Sequence, residues 1–310
     1  MRHKTILFAV FFLCCLSSFS QKGVIICSTQ HNLDKSISIN ADAQVYADYT
    51  LRIVFTTLDG FTSRTLYTPT IALAVVNRGF TEAIRLVPDN SNNHTFQYKY
   101  QFFPGHSFNK MPDTNFLYLI PAAINKTVRI SSVSSTISQL SKEMGQEFRG
   151  TGFNYKLDDT ICAARAGIIY DCSDSVKVGE ATEVAYNRNR NRIFIEHRDG
   201  TIATYAITAP IKLLVQPGEE VFPGQPLAVF NMESPRYMVI FSITYLNEKK
   251  LLTENNPNNV TYYAYLPTYF YAGENDKRTI LERNKQYIIQ HPQEIIAAEM
   301  TKKEKKKFGY

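Results

Sequence analysis

Apolar and polar residues alternate along much of residues 36–105. The sharpest case is Phe96, Tyr98, Tyr100 and Phe102, separated by Gln97, Lys99 and Gln101. A period of two gives a strand one apolar and one polar face. Leu51, Ile53 and Phe55 alternate less cleanly within LRIVF. Turn-forming breaks separate the runs: Asp59-Gly60, Gly79, the stretch PDNSNN at 88–93, and Pro104-Gly105. Several short strands at this spacing predict an immunoglobulin-like β-sandwich over 21–125, with the aromatic faces in its core.

Strand signals resume from 160 to 246. IFIEHRDGTIATYAI at 193–207 predicts a hairpin around Asp199-Gly200. VQPGEEVFPGQPLAVF has turns at Pro217-Gly218 and Pro223-Gly224. RYMVIFSITYL predicts one long buried strand. Arg188, Arg190 and Arg192 lie in the polar run NRNRNR, which reads as a solvated loop. Cys162 and Cys172 flank AARAGIIYD, with Gly167 at its centre. A hairpin there would set the two sulfurs face to face for a disulfide; two separately buried thiols are the equal alternative. After His291-Pro292, the segment QEIIAAEMTKKEKKK predicts a helix with Glu299 paired to Lys303. Residues 251–310 thus read as an extension ending in a basic helix.

Composition adds limits. With 44% apolar residues, the 310-residue chain can bury a real core. Its formal charge of +6 is concentrated at the ends. Arg2 and Lys4 supply +2 of it, and the last ten residues, with five Lys and one Glu, supply +4. Residues 21–300 are neutral overall, which argues against a nucleic-acid partner. Arg2, His3 and Lys4 precede an apolar run from Ile6 to Leu16, with Ser18 and Ser20 before Gln21. This predicts a secretory signal over 1–20, cleaved near Ser20, and a periplasmic or secreted mature chain. Phe12, three residues before Cys15, does not suit a lipidation signal. No later stretch is apolar and long enough to be a transmembrane segment.

The pieces of the second half resemble the LytM/lysostaphin-type zinc endopeptidases. AARAGIIYDC resembles that family's entry strand, and IFIEHRDGTIATYA resembles its I-x-H-x-DGT hairpin with a Tyr-x-His strand. VQPGEEVFPGQPLA resembles its V-x-x-G-x-x-V-x-x-G-Q repeat. SPRYMVIFSI falls where the family has GPHLHFEV. The resemblance implies a mainly antiparallel β domain over 126–250. It also implies an activity, cutting the peptide cross-links of bacterial peptidoglycan with one zinc.

The family's zinc is held by a His, a following Asp and the second His of H-x-H. The first His of H-x-H and the His of Tyr-x-His assist. Counting from Ala163-Ala164-Arg165 puts Gly152 at the Asp position, and residues 141–151 contain no His. Ile207 stands at the Tyr-x-His position, Arg236 and Met238 at H-x-H. Glycine and isoleucine offer no ligand, arginine repels a cation, and a thioether suits copper(I) better than hydrolytic zinc. The resemblance therefore implies a degenerate member with no zinc cofactor and no catalytic residues. After residue 20 the histidines are His31, His94, His106, His197 and His291. A new metal site built from His197, Glu196 or distant histidines would need three ligands to converge, and a lone His is more often structural. The expected role is a binding or regulatory module. Its partner would be peptidoglycan or another envelope protein, with Arg188, Arg190 and Arg236 as candidate contacts for carboxylates. Two alternatives stay open: an active zinc endopeptidase with relocated ligands, and a structural envelope protein.

Overall fold

The computed structural model describes residues 24–106, 112–131, 147–174, 191–253, 262–273 and 278–310. The expected signal, Arg188 and Arg190 lie outside the described residues. The first eight strands are β1 (Val24–His31), β2 (Ile37–Gln44), β3 (Tyr49–Asp59), β4 (Phe61–Thr62), β5 (Leu66–Thr68), β6 (Ile71–Val76), β7 (Gly79–Pro88) and β8 (Thr95–Pro104). They form two four-stranded sheets, ordered β1-β2-β7-β4 and β5-β6-β3-β8. Ile37, Ile39 and Ala41 from one sheet and Leu51, Ile53 and Phe55 from the other share a buried core. Phe96, Tyr98 and Phe102 pack against it, while Tyr100 is exposed.

The blurred alternation of LRIVF has a physical cause. β3 is buried on both faces. Its outer face is covered by a second cluster containing Leu73, Leu246, Leu251 and Tyr262. Arg52 on that face is buried, and its Nε donates to the Leu251 carbonyl at 2.6 Å. Leu251 belongs to α1 (Glu248–Thr253), so the arginine satisfies a carbonyl in the helix's last turn.

The rest of the chain is also mainly antiparallel β. Its strands are β9 (Leu117–Leu119), β10 (Thr127–Ser131), β11 (Gly150–Asn154), β12 (Thr160–Cys162), β13 (Gly167–Ser173), β14 (Asn191–Glu196), β15 (Ile202–Ile207), β16 (Lys212–Leu213), β17 (Glu220–Val221), β18 (Pro226–Val229), β19 (Met238–Leu246), β20 (Tyr263–Leu266), β21 (Tyr269–Tyr271) and β22 (Gln286–Ile288). A long sheet runs β17-β13-β14-β15-β19-β11-β10-β22, with β20 also on β19. Three further strands pair as β12-β18-β16, and β21 lies parallel to β9. Phe153, Tyr205, Phe241 and Phe270 fill the core between these layers. The Asp199-Gly200 hairpin forms as expected, with Glu196 opposite Ile202 and Gly200 at φ +78°. Gly218 and Gly224 take the left-handed conformation that both expected Pro-Gly turns need.

One open alternative is decided, and one expectation is corrected. The AARAGIIYD stretch is not a hairpin: β12 pairs with β18, while β13 enters the long sheet between β14 and β17. Cys162 and Cys172 are separately buried thiols with no disulfide between them, and the Cys172 sulfur faces the Val215 carbonyl. Burial pushes the Cys162 thiol up to about 12, which makes it a poor nucleophile. The C-terminal helix is not continuous either. It is split into α2 (Gln293–Ile296) and α3 (Lys302–Phe308). Thr301 starts the second piece with a reciprocal capping box to Glu304, and Gly309 ends it at φ +78°. Glu299 is thereby released from Lys303 to pair with Arg165 instead. Among the described residues no helix is long and apolar enough to cross a membrane.

Candidate functional site

The resemblance directs attention to β11, β15 and β19, which lie side by side. Gly152 is opposite Ile240, and Asn154 is opposite Met238. Directly opposed residues share a face, so Gly152 and Met238 lie on one face of the sheet. Met238 and Ile240 are buried there against Phe148 and Ala206. Ile207 is opposite Val239, one residue out of phase, and its side chain is in the main core on the other face. All four positions thus lie at one end of the sheet, but Ile207 points into the core from the face opposite Gly152 and Met238.

Among the described residues, that end is closely packed. A Cβ added at Gly152 would stand 3.0 Å from the Ser131 carbonyl oxygen. A side chain there would need the Ser131 backbone to give by a few tenths of an ångström. Arg236 is exposed and reaches across β11, its Nη2 donating to Ser131 Oγ at 3.2 Å. The Met238 N–H donates to Thr208 Oγ1 at 3.1 Å, which ties the strand end shut.

A different group of polar side chains gathers at the opposite end. Glu196 ends β14, His106 follows β8, and Asp48 lies in the β2–β3 turn. His106 Nδ1 is 3.3 Å from Asp48 Oδ2 and 3.7 Å from Glu196 Oε1. Ligand atoms of all three lie within 4.8 Å of one another. The backbone holds them in place. The Asp48 N–H donates to Glu196 Oε2 at 2.8 Å, and the Gly105 N–H donates to the Asp48 carbonyl at 2.8 Å. Thr50 Oγ1 donates to the Gly105 carbonyl. Gly200 lets the two halves meet, because a Cβ there would sit 1.8 Å from the His106 carbonyl oxygen. Burial raises the Glu196 pKa, and the nearby His106 and the hydrogen bond from the Asp48 backbone partly offset this.

Beside this group, Arg165 is buried between two carboxylates. It meets Asp199 at 2.9 Å and Glu299 at 2.7 Å, and its guanidinium stacks on the Phe116 ring at 3.8 Å. His197 is fully enclosed, with Nδ1 2.8 Å from the Ala166 carbonyl. Burial and the Arg165 charge depress its pKa, so it is a neutral donor that ties the hairpin to β13. A cleft of about 460 Å³ opens next to Arg165, lined in part by Asp113, Asn115, Phe116 and Glu294.

In the sequence, Asp48 carries no signal for this grouping, and His106 is marked only as one of five histidines after residue 20. No spacing in the chain joins residue 48 to residues 106 and 196; only the docking of the sandwich on the β14–β15 turn does. Arg188 and Arg190, the other expected contacts, lie outside the described residues.

No family model matches the chain, and no curated protein matches it. Among solved structures, the chain is similar to a peptidase M23 structure from Pseudomonas aeruginosa. The two share 14% identity over 63% of this chain and 82% of that one, at a TM-score of 0.26. It is also similar to two crystal forms of Helicobacter pylori Csd3. The hexagonal form shares 14% identity over 78% of this chain and 69% of that one, at a TM-score of 0.29. The orthorhombic form shares 12% over 77% of each, at 0.27.

Proposed function

We propose that this chain is an exported module of a bacterial cell envelope. It keeps a LytM-type β scaffold without the peptidase chemistry, and binds wall peptides or a wall hydrolase. One observation carries the reading. The positions where the resemblance calls for zinc ligands and catalytic histidines hold Gly152, Ile207, Arg236 and Met238, and the Ile207 side chain turns into the core. Arg236 is the exposed cation at that end, and a guanidinium matches the carboxylates of wall peptides in both charge and shape.

The test is co-sedimentation with purified peptidoglycan, together with chromatography of any released peptides. The expected result is binding without release, weakened about tenfold in Arg236→Ala, the scale of one charge-assisted hydrogen bond. Peptide release by the wild-type chain would overturn the non-catalytic reading. Absence of binding, with Arg236→Ala indistinguishable from wild type, would overturn the wall-peptide version. A second reading, a zinc endopeptidase with relocated ligands, draws on the grouping of Asp48, His106 and Glu196. It requires peptide release that disappears in Glu196→Gln.

A further inference from the structure

We propose that Asp48, His106 and Glu196 form a binding site for a divalent cation, zinc before others, that fastens the sandwich to the long sheet. The donors are one imidazole nitrogen and two carboxylate oxygens, a mixed set that suits a borderline ion such as zinc. Their spacing suits it too. A tetrahedral zinc with bonds of about 2.0–2.1 Å sets neighbouring ligand atoms about 3.3 Å apart. His106 Nδ1 stands 3.3 Å from Asp48 Oδ2 and 3.7 Å from Glu196 Oε1. All three ligand atoms lie within 4.8 Å of one another, so side-chain rotation at the two carboxylates would complete the ligation.

A second observation points the same way. Glu196 is 7% exposed, and its Oε1 has no hydrogen-bond partner among the described residues. That oxygen is aimed at His106 and Asp48. A buried carboxylate oxygen left without a donor is costly, and a cation would supply what the fold omits. Two carboxylates and a neutral imidazole carry a charge of −2, which a divalent ion cancels. The Asp48 side chain is 37% exposed, so the solvent side offers an entry path and room for water as a fourth ligand.

The site is separate from the positions in the resemblance. Glu196 lies five residues along β14 from Asn191, the partner of Ile207. At the rise of a strand this is roughly 16 Å. The ligands come from the β2–β3 turn, the end of β8 and the end of β14, so one ion would cross-link both halves of the molecule. This inference depends on no part of the proposed function. It is read by ion stoichiometry, whereas that reading is tested by wall binding and peptide release, so either can fail alone.

The experiment uses the full chain stripped with chelator and titrated with Zn2+ by calorimetry and thermal unfolding. One ion per chain is expected, with Tm raised by about 5 °C at a hundredfold excess over Kd. His106→Ala and Glu196→Gln should each weaken binding at least about a hundredfold, beyond what losing an outer hydrogen-bond partner of a ligand costs. His31→Ala, at an exposed histidine at the opposite end of β2 from Asp48, should bind like wild type. Asp48→Asn keeps the turn's shape and gives a third reading if His106→Ala misfolds. Co2+ in place of Zn2+ should show visible bands without a thiolate charge-transfer band. No stoichiometric binding would overturn the proposal, as would equal affinity in the variants or a thiolate band. In those cases the group is an ion pair between His106 and its two carboxylates.

Discussion

The two ends of the long sheet differ in what the neighbouring chain brings to them. At the end formed by Gly152, Ile207 and Met238, strands of one domain meet each other, and the contacts are apolar. At the Glu196 end a second domain and the C-terminal segment dock on the β14–β15 turn, and charged groups converge: Asp48, His106, Arg165, Asp199 and Glu299. A position inherited from a motif is therefore a weaker guide to chemistry than a junction between distant segments. Such a junction can bring ligand types together that no local pattern contains.

The largest expected effect lies at the charged end. Arg165→Ala leaves Asp199 and Glu299 without their shared cation and should cost about 3–5 kcal/mol in denaturant unfolding. A loss below 1 kcal/mol would mean that this junction is not held by its charges. At the apolar end, Met238→Ala removes a buried thioether and should cost about 3 kcal/mol, a packing loss independent of added metal. Metal-dependent stabilisation that vanishes in this variant would give that end a chemistry the contrast denies it.

Gly200→Ala comes next, at about 2 kcal/mol. It combines a left-handed backbone with a Cβ directed at the His106 carbonyl. Tight Zn2+ binding in this variant would detach the cation site from domain docking. Arg236→Ala should stay within about 0.5 kcal/mol of wild type, since it gives up one exposed hydrogen bond. The smallest effect is on pH dependence. His291 is half-buried, its Nε2 is 3.0 Å from the Ala122 carbonyl, and burial lowers its pKa. Its unfolded value is about 6.5. Its contribution is therefore full above that pH and is lost as pH falls through the lower folded value. In chelated protein, His291→Asn should flatten the stability profile over that window; an unchanged profile would remove His291 as its source.

Local patterns foretold the elements whose burial is simple. The Asp199-Gly200 hairpin, both Pro-Gly turns and the buried strand β19 follow from turn chemistry and apolar runs. They failed where partners are remote. AARAGIIYD has a glycine at its centre, but its two flanks join different sheets, so its cysteines do not face each other. QEIIAAEMTKKEKKK has helical periodicity, but the Thr301 capping box and the pull of Arg165 on Glu299 divide it.

The sequence by itself determined the β character, the main turns, the charge confined to the ends, and the residue types at each position of the resemblance. Those follow from propensity, period and counting, which act within a few residues. Tertiary structure alone decided that Ile207 faces the core while Met238 faces the other way, because strand register sets the face. It alone brought Asp48, His106 and Glu196 within ligand distance, because close docking of two domains at Gly200 depends on contacts more than ninety residues apart in the chain.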